Sequence, residues 1–259
     1  MSGTPSESIT TAIEAARTAG RPALVPFFTA GYPSPDAFAA TLREIAGAAD
    51  VVEIGVPFTD PMADGMSIQR ASHAALEAGV SLRWIFDQIE ALDDRPTTPL
   101  LLMSYLNPLL AFGYEALAER AAQVGVAGFI VPDLPFEESA ELREALTAKG
   151  VALVQLVSPL TSDERLPVVC GASGGFVYAV TTTGVTGGAG GLGDSVGTYL
   201  DRVRAASPLP VCAGFGIRSA ADVQRLASHV DGVIVGSALV ESLERGAAPA
   251  TMLRELAGA

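Results

Sequence analysis

The segment VVEIGVPFTDPMADG at residues 51–65 gathers Glu53, Asp60 and Asp64 within a dozen positions. Glu53 interrupts an apolar run, with Val52 and Ile54 on either side. Side chains alternate along a strand, so Glu53 faces opposite to those neighbours. Inside a closed barrel that direction is inward, and burial lifts a carboxyl above its ordinary value of about 4.3, toward the range a general acid or base needs. A structural glutamate, paired with arginine or accepting from backbone amides, is the alternative for the same position. Asp60 and Asp64 sit in DP and DG dipeptides, which are ordinary turn formers. For Asp64 the pairing with Glu53 adds a reason: two carboxylates in different surroundings can divide labour, one carrying a proton and one serving as a fixed charge.

A second constellation is built from glycine. TGVTGG at 183–188 supplies Gly184, Gly187 and Gly188; GFGI at 214–217 supplies Gly216; VGSALV at 235–240 supplies Gly236 and Ser237 ahead of a helix. Bare glycines let backbone N–H groups approach anionic oxygens, and a helix N-terminus adds positive potential. Any one such turn is explained by turn geometry alone. Three at successive strand ends point to a phosphate site that needs no lysine. Lys149 is in fact the chain's single lysine and ends a helical stretch, so a carbon–carbon cleavage through an imine has no amine to use. His73 and His229 lie on helical stretches without carboxylate or cysteine at ligand spacing, which gives no metal motif.

The elements that must carry these residues alternate. Strand-like runs fall at 23–29, 51–55, 99–104, 128–131, 152–157, 176–180, 210–214 and 232–236, rich in Val, Ile and Leu and mostly without polar alternation. Strands buried on both faces of a parallel sheet read this way. Amphipathic helices separate them, as at 36–49, 114–125, 137–150 and 220–230, with Gly125 and Gly150 placed as left-handed caps. Eight such units predict an α/β fold, a (β/α)8 TIM barrel, as a single domain spanning 1–259, with an extra N-terminal helix at 6–18 and an extra helix after the second strand. An open doubly wound sheet would usually carry a glycine-rich loop after its first strand; here that turn is TAGYPSP. The run at 184–194 reads as a mobile loop between strand and helix rather than a linker.

Composition narrows the classes. The 259 residues are 49% hydrophobic and 17% charged, with net charge −13, so a nucleic-acid backbone finds no basic face. Cys170 and Cys212 adjoin apolar residues and read as small buried hydrophobes. The N-terminus lacks an apolar signal core, and no apolar run reaches the roughly 18 residues of a membrane span. Both point to a cytoplasmic protein.

VEIGVPFTDPMADGMSIQ at 52–69 closely resembles the signature of the tryptophan synthase α subunit family. The likeness continues in order through VPFFTAGYP, LMSYLNP, GFIVPDLPFEES, YAVTTTGVTG, GFGI and VGSA. It implies a lyase of tryptophan biosynthesis that splits indole-3-glycerol phosphate into indole and glyceraldehyde 3-phosphate by a retro-aldol reaction. Glu53 then matches the general acid/base and Asp64 the carboxylate at the indole N–H. Tyr178 matches an active-site tyrosine and Thr186 the threonine of a loop that closes on Asp64. Phosphate contacts would fall on Gly187, Gly216, Gly236 and Ser237, and Leu24, Tyr105, Ile130 and Pro132 would line the indole pocket. Pro57, Asp60 and the Asn107–Pro108 turn lie where the family meets its β subunit, in an α2β2 heterotetramer. The β subunit carries pyridoxal phosphate; this chain would carry no cofactor and no metal.

Two departures stand out. Met66–Ser67 replaces the family's usual Pro-Thr, which frees φ at residue 66. The closing loop is unusually rich in glycine, so freezing it costs about 1 kcal/mol or more per residue. Both predict that the isolated subunit closes poorly and is strongly activated by its partner. Another phosphate-binding barrel enzyme of amino-acid biosynthesis and a subunit that merely activates a partner are the competing readings. Different strand-end acids would mark the first; the presence of Glu53 and Asp64 argues against the second.

Overall fold

The computed structural model describes residues 4–181, 195–214 and 216–258. Eight strands close into a barrel in sequence order, each parallel to its neighbours: β1 Ala23–Thr29, β2 Val52–Gly55, β3 Leu100–Met103, β4 Val126–Ile130, β5 Ala152–Val157, β6 Val177–Val180, β7 Val211–Gly214 and β8 Gly232–Val235. β1 completes the ring by pairing with β8, from Ala23 opposite Gly232 to Pro26 opposite Val235.

Alternation along each strand sorts the core into two shells. Leu24, Phe28, Val52, Ile54, Leu100, Leu102, Phe129 and Val233 turn outward and pack beneath the helices. Val25, Leu101, Ile130, Val154, Tyr178, Cys212 and Ile234 turn inward and fill the barrel. Both faces are apolar because both are covered, which is why the strands lack polar alternation. The first helix, Pro5–Thr18, plugs the end of the barrel at which the strands begin. It starts at a capping box of Thr4 and Glu7 and buries Ile9, Ile13 and Ala16 against the inner shell. The site must therefore form at the opposite, C-terminal rim.

Two aspartates pin strand starts. Asp50, just before β2, accepts the N–H of Leu24 at 2.7 Å and a bidentate pair from Arg21. Asp231, just before β8, accepts the N–H of Val211 at 2.9 Å. Each carboxylate caps the start of the neighbouring strand where ladder pairing has not yet begun.

The predicted extra helices are present, Pro5–Thr18 before β1 and both Met66–Glu77 and Leu82–Glu90 between β2 and β3. Gly125 adopts the left-handed cap (φ 80°). Gly150 also has positive φ, but its helix ends earlier, at Thr147. One expectation is corrected. Asn107 and Pro108 do not form a turn; they lie in the first turn of a helix, Leu106–Phe112. Proline is tolerated there because first-turn N–H groups have no intrahelical partner. The N–H of Leu106 is instead taken by the carboxylate of Asp133, at 2.9 Å and 3.2 Å.

Candidate active site

Glu53 sits on β2 opposite Phe27 of β1 and Leu101 of β3, with its side chain in the inner shell. It is 1% exposed, and its Oε2 has no hydrogen-bond partner among the described residues. Burial, helped by the negative charge of Asp64, pushes its carboxyl up to about 8. At neutral pH the group is an acid with a proton to give.

Asp64 lies in the loop after β2, 7% exposed, two residues ahead of the helix Met66–Glu77. Its backbone is fixed at both ends: its N–H donates to the carbonyl of Pro61 (3.0 Å) and its C=O accepts from Gln69 Nε2 (2.9 Å). Oδ2 accepts the phenolic hydrogen of Tyr105 at 3.1 Å. Burial raises this carboxyl to about 6, while the bond from Tyr105 opposes the rise by favouring the charged form. The two acids are thus held apart in proton affinity, as a proton carrier and a fixed anion require.

Tyr105 caps the helix Leu106–Phe112 and stacks on Phe58 with ring centroids 5.0 Å apart. Tyr178 stands on β6 in the inner shell, and its phenol is held well above the ordinary value by burial and by the charges of Glu53 and Asp64. It fits because β7 offers Gly214 there: a Cβ on Gly214 would lie 2.2 Å from the Tyr178 oxygen. Ile130 ends β4 in the inner shell, and Pro132 follows it, half-buried, at the edge of a cavity shared with Leu156 and Val180.

Leu24 does not line this space. It belongs to the outer shell, between barrel and helices. The inward residues of β1 are Ala23, Val25, Phe27 and Thr29, and Phe27 takes the place expected of Leu24. Its ring covers Gly55 so closely that a Cβ there would be 2.4 Å away. Strand parity, applied to β1 as it was to β2, is the signal that finds Phe27.

Of the glycine turns, Thr186, Gly187, Gly184 and Gly188 lie outside the described residues. Gly216 has φ +82°, which favours glycine. β7 and β8 are neighbours, with Gly214 opposite Ile234, and Gly216 and Gly236 follow the last residues of these two strands. Gly236 is the N-cap of the helix Ser237–Glu244, and no side chain caps that end. The N-terminal amides of this helix are therefore available to an anion. Glu241 in the same helix accepts from Ser67 Oγ at 2.8 Å and pairs with Arg218. This clasp ties the glycine rim to the helix that follows Asp64; Arg218 carries no motif signal, and Ser67 stands out in the sequence only as part of the Met66–Ser67 departure. Asp60 is exposed and accepts from Thr59, whereas Pro57 is buried.

One pattern in the sequence is a decoy. GASGG at 171–175 has the spacing of a nucleophile elbow. It leads into β6 rather than out of a strand, and Ser173 Oγ is spent on the N–H of Gln155 (2.8 Å) and the carbonyl of Phe176.

A closed parallel barrel with two buried carboxylates of raised and unequal proton affinity has the architecture of the (β/α)8 enzyme class and carries groups suited to acid–base chemistry. Comparison with known proteins narrows the class. The family model described as tryptophan synthase alpha chain matches residues 13–257. The tryptophan synthase alpha chain of Nitratidesulfovibrio vulgaris is 44% identical, over 93% of this chain and 95% of its own length. That of Halorhodospira halophila is 47% identical, over 90% and 87%. A structure of Mycobacterium tuberculosis tryptophan synthase superposes with TM-score 0.88 at 36% identity, covering 96% of both chains. The alpha subunit from Legionella pneumophila gives 0.87 at 30% identity, covering 97% of both. This chain belongs to the tryptophan synthase alpha chain family. The family's reaction is the retro-aldol cleavage of indole-3-glycerol phosphate to indole and glyceraldehyde 3-phosphate, a lyase activity of tryptophan biosynthesis.

Proposed function

We propose that Glu53 and Asp64 carry this cleavage in the present chain. Glu53 begins protonated and delivers its proton to the indole ring carbon that bears the glycerol chain. The ring becomes a cationic indolenine, and the Asp64 carboxylate stabilises the charge at the ring N–H. Glu53, now a carboxylate, removes the proton of the adjacent carbinol hydroxyl. The carbon–carbon bond breaks, its electron pair returns to the ring, and the carbinol carbon leaves as the aldehyde. Glu53 ends as it began, so one buried acid serves both steps. Phe27, Tyr105, Ile130 and Pro132 border the indole, with Tyr178 beside Glu53. The amides of Gly216, Gly236 and Ser237, with those of Gly187, hold the phosphate, and Thr186 belongs to the loop that closes over Asp64.

The single observation that carries this reading is the inward, fully buried Glu53 carboxyl within the field of Asp64. The chain acts as one barrel domain, without a cofactor of its own, in the cytoplasm. Its partner is a β subunit carrying pyridoxal phosphate, met by the rim around Asp60 and the helix Leu106–Phe112. Exposed Met62, Met66 and Leu110 on that rim support this assignment. Among the described residues no helix is long and apolar enough to cross a membrane.

The test is indole release from indole-3-glycerol phosphate by the purified chain, with and without β subunit. Wild type releases indole and Glu53→Gln falls by about 10³-fold or more. Undiminished turnover in the variant would overturn the assignment, and equal rates with and without partner would end the expectation of strong activation.

A further inference from the structure

Among the described residues two buried side-chain polar atoms lack a hydrogen-bond partner: Glu53 Oε2 and Thr29 Oγ1. The first is accounted for by the proton transfer proposed for Glu53. The second is not explained by any step above. Thr29 ends β1 on the inward face, opposite Gly55, and is 2% exposed. A buried hydroxyl without a partner lowers stability, and an isosteric valine would avoid the cost.

Thr29 lines a cavity of about 10 Å³ together with Gly55, Asp64, Ser72 and Tyr105. That is room for one water molecule, and a water needs at least two polar partners to stay. Ser72 Oγ is already committed to the N–H and carbonyl of Phe58. Tyr105 Oη is committed to the Ala63 N–H and to Asp64. The Asp64 carboxylate, which offers about four acceptor sites, is asked for one by Tyr105. Thr29 and Asp64 are thus the wall groups with capacity to spare.

We propose that Thr29 is a positioning residue for Asp64, joined to it through a single enclosed water that keeps the carboxylate aimed at the indole N–H. The inference rests on Asp64 serving as the fixed charge. A water held by Thr29 donates to the carboxylate and favours its ionised form, as Tyr105 does. The other ionisable groups facing Asp64 are Glu53 from β2 and Tyr178 from β6, both of which a change at Thr29 leaves in place.

The experiment compares Thr29→Val, Thr29→Ser and Asp64→Asn with wild type in the complex with β subunit, and measures melting temperature on each purified chain. Thr29→Val keeps its melting temperature within about 2 °C of wild type, because the hydroxyl and its bond to the water are removed together. Its kcat falls about tenfold, the size of one hydrogen bond to a charged group, with KM little changed. The acid limb of its kcat/KM profile moves up by about half a pH unit, and Thr29→Ser restores both rate and profile. If Asp64→Asn is inactive while Thr29→Val keeps wild-type kcat and pH profile, the inference is wrong. If Thr29→Val loses stability and activity together, the hydroxyl is structural and the inference is equally wrong. If Asp64→Asn remains active, the reading of Asp64 fails and takes the inference with it.

Discussion

Tyr105 donates its phenolic hydrogen to Oδ2 of Asp64 at 3.1 Å while accepting the backbone N–H of Ala63, the residue before Asp64, at 2.9 Å. One side chain from the segment after β3 thereby fixes both the position and the charge of an acid carried by the loop after β2. Tyr105→Phe keeps the ring and its stacking on Phe58 but deletes both bonds. The variant should lose about tenfold in kcat/KM, and its acid limb should shift to higher pH, because Asp64 loses a donor to its ionised form. A pH profile of indole release checks this; an unmoved limb would mean the phenol does not touch the working carboxylate.

Glu53 makes stability depend on pH in a way that can be isolated. Its folded-state carboxyl is raised to about 8 from an ordinary 4.5, so between those values the folded state holds more protons than the unfolded one. Stability therefore falls as pH rises through that window and levels off above it. Glu53→Gln lacks the penalty. Its melting temperature should match wild type near pH 4.5 and exceed it by roughly 10 °C at pH 9. A gap that stays constant with pH would show that residue 53 is not buried as a carboxyl.

Gly214 is required by a neighbour. A Cβ on it would sit 2.2 Å from the Tyr178 oxygen and 2.5 Å from its ring. Gly214→Ala must push Tyr178 off the inner wall beside Glu53, and kcat/KM should fall by about 10²-fold or more for a displacement near 1 Å. Activity close to wild type would place Tyr178 outside the reaction.

Leu24→Ala separates the two shells. The side chain is buried beneath the helices, so its removal should cost about 2–5 kcal/mol of stability. KM for indole-3-glycerol phosphate should stay within about twofold of wild type, the residue making no ground-state contact. Denaturant unfolding and steady-state kinetics on the same preparation decide it. A raised KM with unchanged stability would return Leu24 to the pocket.

The barrel and its two acids were readable because the rules that place them are local. Both-face burial makes each strand an apolar run, and Glu53 is visible as the exception within one. β1 begins after Pro22 and β5 ends before Ser158, boundaries visible in the sequence. Leu24 faces away from the pocket to which family resemblance assigns it, because the parity that turns Glu53 inward on β2 turns Phe27 and Thr29 inward on β1 and Leu24 outward. Asn107–Pro108 looked like a turn because nothing nearby in the chain shows that Asp133, from after β4, caps a helix there. Tyr105 on Asp64, Ser67 on Glu241 and the orphan hydroxyl of Thr29 are likewise products of strands distant in sequence. Met66 departs from the family's usual proline, yet it occupies the first position of its helix, where proline is favoured. The departure therefore alters the freedom of that end more than its fold.

The claim on which the mechanism turns is that Glu53 is a carboxylic acid at neutral pH and that its proton is the one transferred. Carbon NMR of glutamate labelled at the side-chain carboxyl, assigned by comparison with Glu53→Gln, follows this group directly across pH beside kcat/KM for indole release. The account predicts a glutamate resonance titrating near 8, absent from the variant, with the alkaline limb of the rate profile at the same midpoint. A Glu53 resonance that titrates wholly at ordinary carboxylate pH, or a rate that holds constant through the Glu53 titration, would contradict it.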